Sequence, residues 1–160
     1  MKYFKEYLEK YKDKKIRLYI DMDGVVTDYD LITFNPHMYE EDVFLNKRPV
    51  QTIIDILEEI SHMDNIELYI LSVSKLEKQI DGKLKWLDKY MKFIKKENIN
   101  IIPKDINAPK NTTNLKVDFL KEHLDSNYIN MILDDSHSVL ETLYREKYDI
   151  IPLHTSSILD

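Results

Sequence analysis

Two short acidic runs hold the side chains of this 160-residue chain best equipped for chemistry: Asp21 and Asp23, followed at once by Gly24, and the adjacent pair Asp134 and Asp135. Alone, either run could be no more than an acidic turn that caps a helix or favours its N-terminus. Gathered at one place, four carboxylates repel one another unless a cation joins them. Hard oxygen ligands with a few waters suit Mg²⁺, which would also draw in a phosphate and neutralise charge in a transition state. A carboxylate can act as a nucleophile and form an acyl phosphate. A second one, two residues on, can protonate a leaving group and then activate water. A hydroxyl such as that of Ser72 can donate to a phosphoryl oxygen, and a lysine from a following loop or helix can neutralise another.

The elements that must position these residues follow from the hydrophobic pattern. Residues 2–13 carry aromatic and apolar side chains at helical spacing, and 16–20 (IRLYI) reads as a strand that stops at Asp21. A helix is predicted over 49–63, with Pro49 in its first turn and Ile53, Ile54, Leu57 and Ile60 on one face. A strand over 66–71 (IELYIL) ends at Ser72, and an amphipathic helix follows over 75–94, with Trp86 assigned to the core. The remaining predictions are a short strand at 100–102, a helix at 113–124, a strand at 128–133 ending at Asp134, a helix at 136–146 and a last strand at 149–153. Strands alternating with helices imply parallel pairing and right-handed crossovers. The predicted fold is therefore a three-layer α/β/α sandwich with a Rossmann-like, mainly parallel sheet. In such a sheet the site lies beyond the carboxyl ends of the strands, where Asp21, Asp23, Ser72, Asp134 and Asp135 all fall. One domain over 1–160 suits this length.

DMDGVVTD at 21–28 resembles the first motif of the haloacid-dehalogenase-like (HAD) superfamily, in the form found in 5′(3′)-deoxyribonucleotidases. LYILS at 68–72 is similar to the second motif and ILDDS at 132–136 to the acidic fourth. KLKWLDKY at 83–90 resembles the Lys- and Trp-containing helix of the nucleotidase-like branch. The resemblance implies a Mg²⁺-dependent phosphatase with an aspartyl-phosphate intermediate. Asp21 would be nucleophile and metal ligand. Asp23 would be the general acid/base, with its backbone carbonyl on the metal. Asp134 would complete the metal site, and Asp135 would support it. Ser72 would bind the phosphoryl group, with Val73 and Ser74 as further donors. The third-motif lysine would be Lys116, with Lys110 as the alternative and Lys104 earlier in the chain. The resemblance also implies a cap after the first motif, and the short interval 28–47 leaves room only for a rudimentary one. Whether Tyr29, Phe34, Tyr39 and Phe44 there line a pocket or anchor a loop stays open.

Composition narrows the function classes. A formal net charge of -6 argues against broad nucleic-acid binding, which needs a basic surface. The absence of cysteine excludes disulfides and thiolate metal sites. The charged N-terminus does not read as a signal peptide, and no apolar run approaches membrane-spanning length, so a cytoplasmic protein with no membrane partner is expected. The two glycines, Gly24 and Gly82, are each expected at a special backbone position. The histidines show no metal-ligand spacing, and the lysines between 75 and 96 read as a solvated helix face. The leading expectation is a nucleotidase-like enzyme on nucleoside monophosphates or similar small phosphoesters. The alternative is a nucleic-acid end phosphatase with a basic groove drawn from Lys47, Arg48 and Lys75. The second alternative is a HAD-like module that binds phosphate and Mg²⁺ without turnover. Homo-oligomer formation is left open.

Overall fold

A computed structural model describes residues 3–28, 44–74, 77–105, 107 and 111–159. Most of the interval expected to form a cap, residues 29–43, lies outside the described residues, as do Lys75 and Lys110.

The sheet has five parallel strands: β1 (Ile16–Ile20), β2 (Ile66–Ser74), β3 (Ile99–Pro103), β4 (Ile129–Asp134) and β5 (Ile151–His154), in the order β3-β2-β1-β4-β5. The helices are α1 (Phe4–Lys10), α2 (Gln51–Ser61), α3 (Lys78–Tyr90), α4 (Thr112–His123) and α5 (His137–Arg145). Successive strand side chains point to opposite faces, and here both faces are covered. Ile16, Leu18 and Ile20 of β1 and Met131 and Leu133 of β4 share one core with Ile53, Ile54 and Leu57 of α2 and Trp86 and Leu87 of α3. Tyr19 of β1, Leu71 of β2 and Ile132 of β4 share the other with Val117 and Leu120 of α4 and Val139 and Leu143 of α5. This two-sided burial explains why the strands read as near-continuous apolar runs. The result is the three-layer sandwich the sequence predicts.

The chain winds from β1 outward through β2 to β3, then returns across the sheet to lay β4 on the other side of β1. The order reverses between β1 and β4, the place where open α/β sheets bind ligands. Asp21 and Asp134 leave the sheet at that point. The β1 register ends at Ile20, paired with Ile70 on one side and Leu133 on the other, and the Asp21 amide still donates to the Leu133 carbonyl at 3.0 Å.

Three expectations need correction. β2 does not stop at residue 71. It runs on to Ser74 because β3 pairs with it over Ile70 to Ser74, so Ser72 lies within the strand, opposite Ile101. Pro49 precedes α2 and makes an isolated bridge with Thr27. Gly82 is buried within α3 and does not have a positive φ, which among the glycines belongs to Gly24 alone, at 77°. At Gly24 the freedom of glycine is used. The chain turns back there, with Gly24 N–H donating to the Thr27 carbonyl and the Met22 carbonyl receiving Val25, Val26 and Thr27 amides. No helix among the described residues is long and apolar enough to cross a membrane.

Candidate active site

The site forms at the carboxyl rim of β1, β2 and β4, and it divides into two electrostatic halves. In the first, Asp21 and Asp134 are almost fully buried, and Lys116 of α4 lies between them, with Nζ 2.8 Å from Asp21 Oδ2 and 2.7 Å from Asp134 Oδ2. α4 can deliver a charged side chain here because Lys116 rides beside the buried Val117 and Leu120, and Asn111 caps the helix by accepting from the Asn114 amide at 2.8 Å. Asp134 Oδ1 accepts from the Ser136 amide at 2.8 Å, which fixes the turn into α5. Asp21, Asp134 and Asp135 each offer a carboxylate oxygen, all within 4.8 Å of one another. Three carboxylates against one ammonium leave two negative charges. An oxygen donor set of that charge fits a divalent hard cation such as Mg²⁺.

Burial pushes the Asp21 carboxyl up to about 6; Lys116 opposes the shift and Asp134 adds to it. Asp135 is also raised, by burial and then by the charge of Asp21. Burial alone would lower the Lys116 ammonium, but Asp21 and Asp134 outweigh it and hold the pKa above its ordinary value.

The second half surrounds Asp23. Its carboxylate is not among the three-carboxylate group; each of its oxygens takes a different lysine. Lys83 Nζ donates to Asp23 Oδ2 at 2.7 Å, and Lys47 Nζ donates to Asp23 Oδ1. Lys83 also donates to Ser72 Oγ at 2.8 Å and to the Val73 carbonyl at 3.1 Å, so the three donors of its ammonium meet three acceptors. The buried ring of Phe44 lies beneath both lysines, its centroid 4.8 Å from Lys83 Nζ and 4.9 Å from Lys47 Nζ. Burial would raise the Asp23 carboxyl, but the two lysines outweigh it and hold it below the ordinary carboxylate range.

The structure therefore brings together Asp21, Asp23, Ser72, Lys116, Asp134 and Asp135. Lys104 makes no ion pair with them among the described residues, and its amide instead donates to the Ser74 carbonyl. Two residues were missed by the sequence reading. Lys83 is only 2% exposed, which corrects the reading of all the lysines between 75 and 96 as solvated. It shares the buried face of α3 with Gln79, Trp86 and Leu87 at helical spacing, and that position was the available signal. Lys47 was read only as part of a nucleic-acid groove. Of the other proposed groove residues, the exposed Arg48 is paired at 2.7 Å with Asp28.

No protein-family model matches this chain, and no curated protein matches it. Solved structures do. A chain of the Pnkp1/Rnl/Hen1 RNA repair complex superposes with a TM-score of 0.65 at 14% identity, covering 89% of this chain and 42% of that one. The class C acid phosphatase from Bacillus anthracis with tungstate bound gives 0.57 at 15% identity, over 96% of this chain and 72% of that one. The HAD domain of effector protein Lem4 from Legionella pneumophila gives 0.50 at 15% identity, over 88% and 84%. The fold is HAD-like. The chain spans under half the length of the matched chain in the RNA repair complex. At these identities the likeness concerns the fold, and the site must be argued from its own residues.

Proposed function

We propose that the protein is a Mg²⁺-dependent phosphomonoesterase working through an aspartyl-phosphate at Asp21, on small phosphoesters such as nucleoside monophosphates, in the cytoplasm. The observation that carries the reading is the division of labour between Asp21 and Asp23. Asp21 belongs to a carboxylate group whose charge calls for a divalent cation, whereas Asp23 stands outside that group, held by lysines. Asp21, Asp134 and Asp135 would hold the ion, which supplies charge neutralisation to the phosphoryl group.

In the first half-reaction an Asp21 carboxylate oxygen attacks phosphorus and the bond from phosphorus to the ester oxygen breaks; Asp23, ionised at rest beside Lys83 and Lys47, relays to that oxygen the proton that the phosphomonoester monoanion brings. Lys83 and Lys47, beside Asp23, stabilise the negative charge that grows on the leaving oxygen. In the second, ionised Asp23 takes a proton from water, the water oxygen attacks the phosphoaspartate, and the bond from phosphorus to Asp21 breaks to release phosphate. Ser72, already oriented by Lys83, and Lys116 supply donors for the phosphoryl oxygens. Asp21→Asn tests this. Mg²⁺-dependent phosphate release from p-nitrophenyl phosphate should fall by about a thousandfold or more while the circular dichroism spectrum is kept. Full activity in a variant shown by mass spectrometry not to have reverted would overturn the covalent mechanism. No release by the wild type from any phosphoester would favour a module that binds without turnover.

A second reading is supported by the fold likeness to a chain of an RNA repair complex: phosphate removal from nucleic-acid ends. The pairing of Arg48 with Asp28 and of Lys47 with Asp23 weighs against the basic groove it needs. Turnover of an end-phosphorylated oligonucleotide that exceeds turnover of nucleoside monophosphates and falls steeply with salt would reverse the preference.

A further inference from the structure

Lys83 and Lys47 grip the same carboxylate, but they are not equivalent. Lys83 is buried and all its donors are taken. Lys47 has one acceptor among the described residues, Asp23 Oδ1, and its side chain is 23% exposed. Its other two donors meet no acceptor among the described residues. Its position is nonetheless fixed. The Lys47 amide donates to the Phe44 carbonyl at 3.0 Å, and its carbonyl accepts from the indole of fully buried Trp86 at 2.9 Å. The core thus anchors the backbone of a lysine whose ammonium stands at the mouth of the site. Lys47 takes Oδ1 of Asp23, whereas Lys83, which also donates to Ser72, takes Oδ2.

We propose that Lys47 determines specificity by receiving a second anionic group, a carboxylate or phosphoryl group, carried by the leaving alcohol close to the scissile ester oxygen. The inference rests on the phosphomonoesterase reading, in which Asp23 hydrogen-bonds that oxygen. Two successive hydrogen bonds and the span of one carboxylate put the oxygen about 5–7 Å from Lys47 Nζ. An anion one or two carbons beyond the ester oxygen then reaches Lys47 Nζ. A neutral alcohol leaves it to water. The preferred substrates are small, doubly anionic phosphomonoesters.

Phosphonates test this without turnover, because their C–P bond is not an ester. Mg²⁺-loaded wild type, Lys47→Met and Lys47→Arg are titrated calorimetrically with 3-phosphonopropionate, ethane-1,2-bisphosphonate and n-propylphosphonate. The wild type should bind at least one charged compound about tenfold more tightly than n-propylphosphonate, as one added charge-assisted contact allows. The stronger of the two tells carboxylate from phosphoryl recognition. Lys47→Met should bring the preference within about twofold, and Lys47→Arg should keep most of it. Urea midpoints check that the variants remain folded. No preference in the wild type, or one that survives Lys47→Met, overturns the proposal. Failure of the phosphomonoesterase reading shows separately, as absence of Mg²⁺-dependent phosphate release from p-nitrophenyl phosphate by the wild type.

Discussion

Lys83 donates to Asp23 at 2.7 Å across a sequence separation of 60 residues, and it does so from inside the core. The contact joins the turn after β1 to α3, and through Ser72 it also joins both to β2. Replacing it by methionine preserves the length of the side chain and removes every donor. Lys83→Met should cost about 2 kcal/mol in urea unfolding, because Asp23, Ser72 and the Val73 carbonyl lose a partner together. Phosphate release should fall about a hundredfold, since Asp23 and Ser72 are no longer held in register. Lys83→Arg should restore little, because a planar fork cannot meet three acceptors arranged for a compact ammonium. Unchanged stability together with unchanged rate would show that the clamp has no role.

Lys116 should separate stability from activity. In Lys116→Met, Asp21 and Asp134 face each other without their shared ammonium, and the metal-free protein should lose about 3 kcal/mol. Added Mg²⁺ should raise its melting temperature by more than it raises that of the wild type, since the carboxylate group has gained a net negative charge. Phosphate release should nevertheless stay low. A smaller Mg²⁺ shift than in the wild type, measured by scanning calorimetry, would argue that the ion does not sit among these carboxylates.

The raised Asp21 carboxyl gives Mg²⁺ binding a pH dependence. Its folded pKa of about 6 lies above the ordinary 3.8, so between those values the folded chain keeps a proton that the unfolded chain has released. The contribution of this group to stability therefore falls as pH rises through that window and is level above it. A metal must displace the proton. The Mg²⁺-induced rise in melting temperature should thus be larger at pH 7.5 than at pH 5, and Asp21→Asn should lose most of that difference. Equal shifts at both pH values in the wild type would contradict it.

Gly24 has φ 77°, where a Cβ is unfavourable. Gly24→Ala should cost about 1–2 kcal/mol. Its rate loss should exceed what the stability loss explains, because the strained residue adjoins Asp23. A stable variant of full activity would show that the turn tolerates a side chain.

Much of this site can be read from sequence because a parallel sheet delivers strand ends to one edge. Asp21 and Asp134 each follow an apolar run, and the run itself announces where the carboxylate will stand. Ser72 was placed at the correct rim although the end of its strand was not, because pairing with β3 extends β2 by a long-range contact that no local pattern reveals. Lys116, favoured from the sequence, is set between Asp21 and Asp134 by the packing of α4. Lys83 was hidden by composition: it lies among other lysines on α3, and only its alignment with Trp86 and Leu87 marks it as inward. Lys47 lies in irregular chain, where periodicity says nothing about direction.

The jump of the chain from β3 back across β1 has a consequence for synthesis. Asp21 and Asp23 leave the ribosome early, whereas Lys116 and Asp134 follow only after the three strands on one side of the sheet have been made. Domains fold as units once enough chain has emerged. Until β4 takes its place beside β1, Asp21 lacks Asp134, the second carboxylate that Lys116 joins to it. Under the proposed mechanism a nascent or truncated chain that stops before residue 134 should therefore release no phosphate.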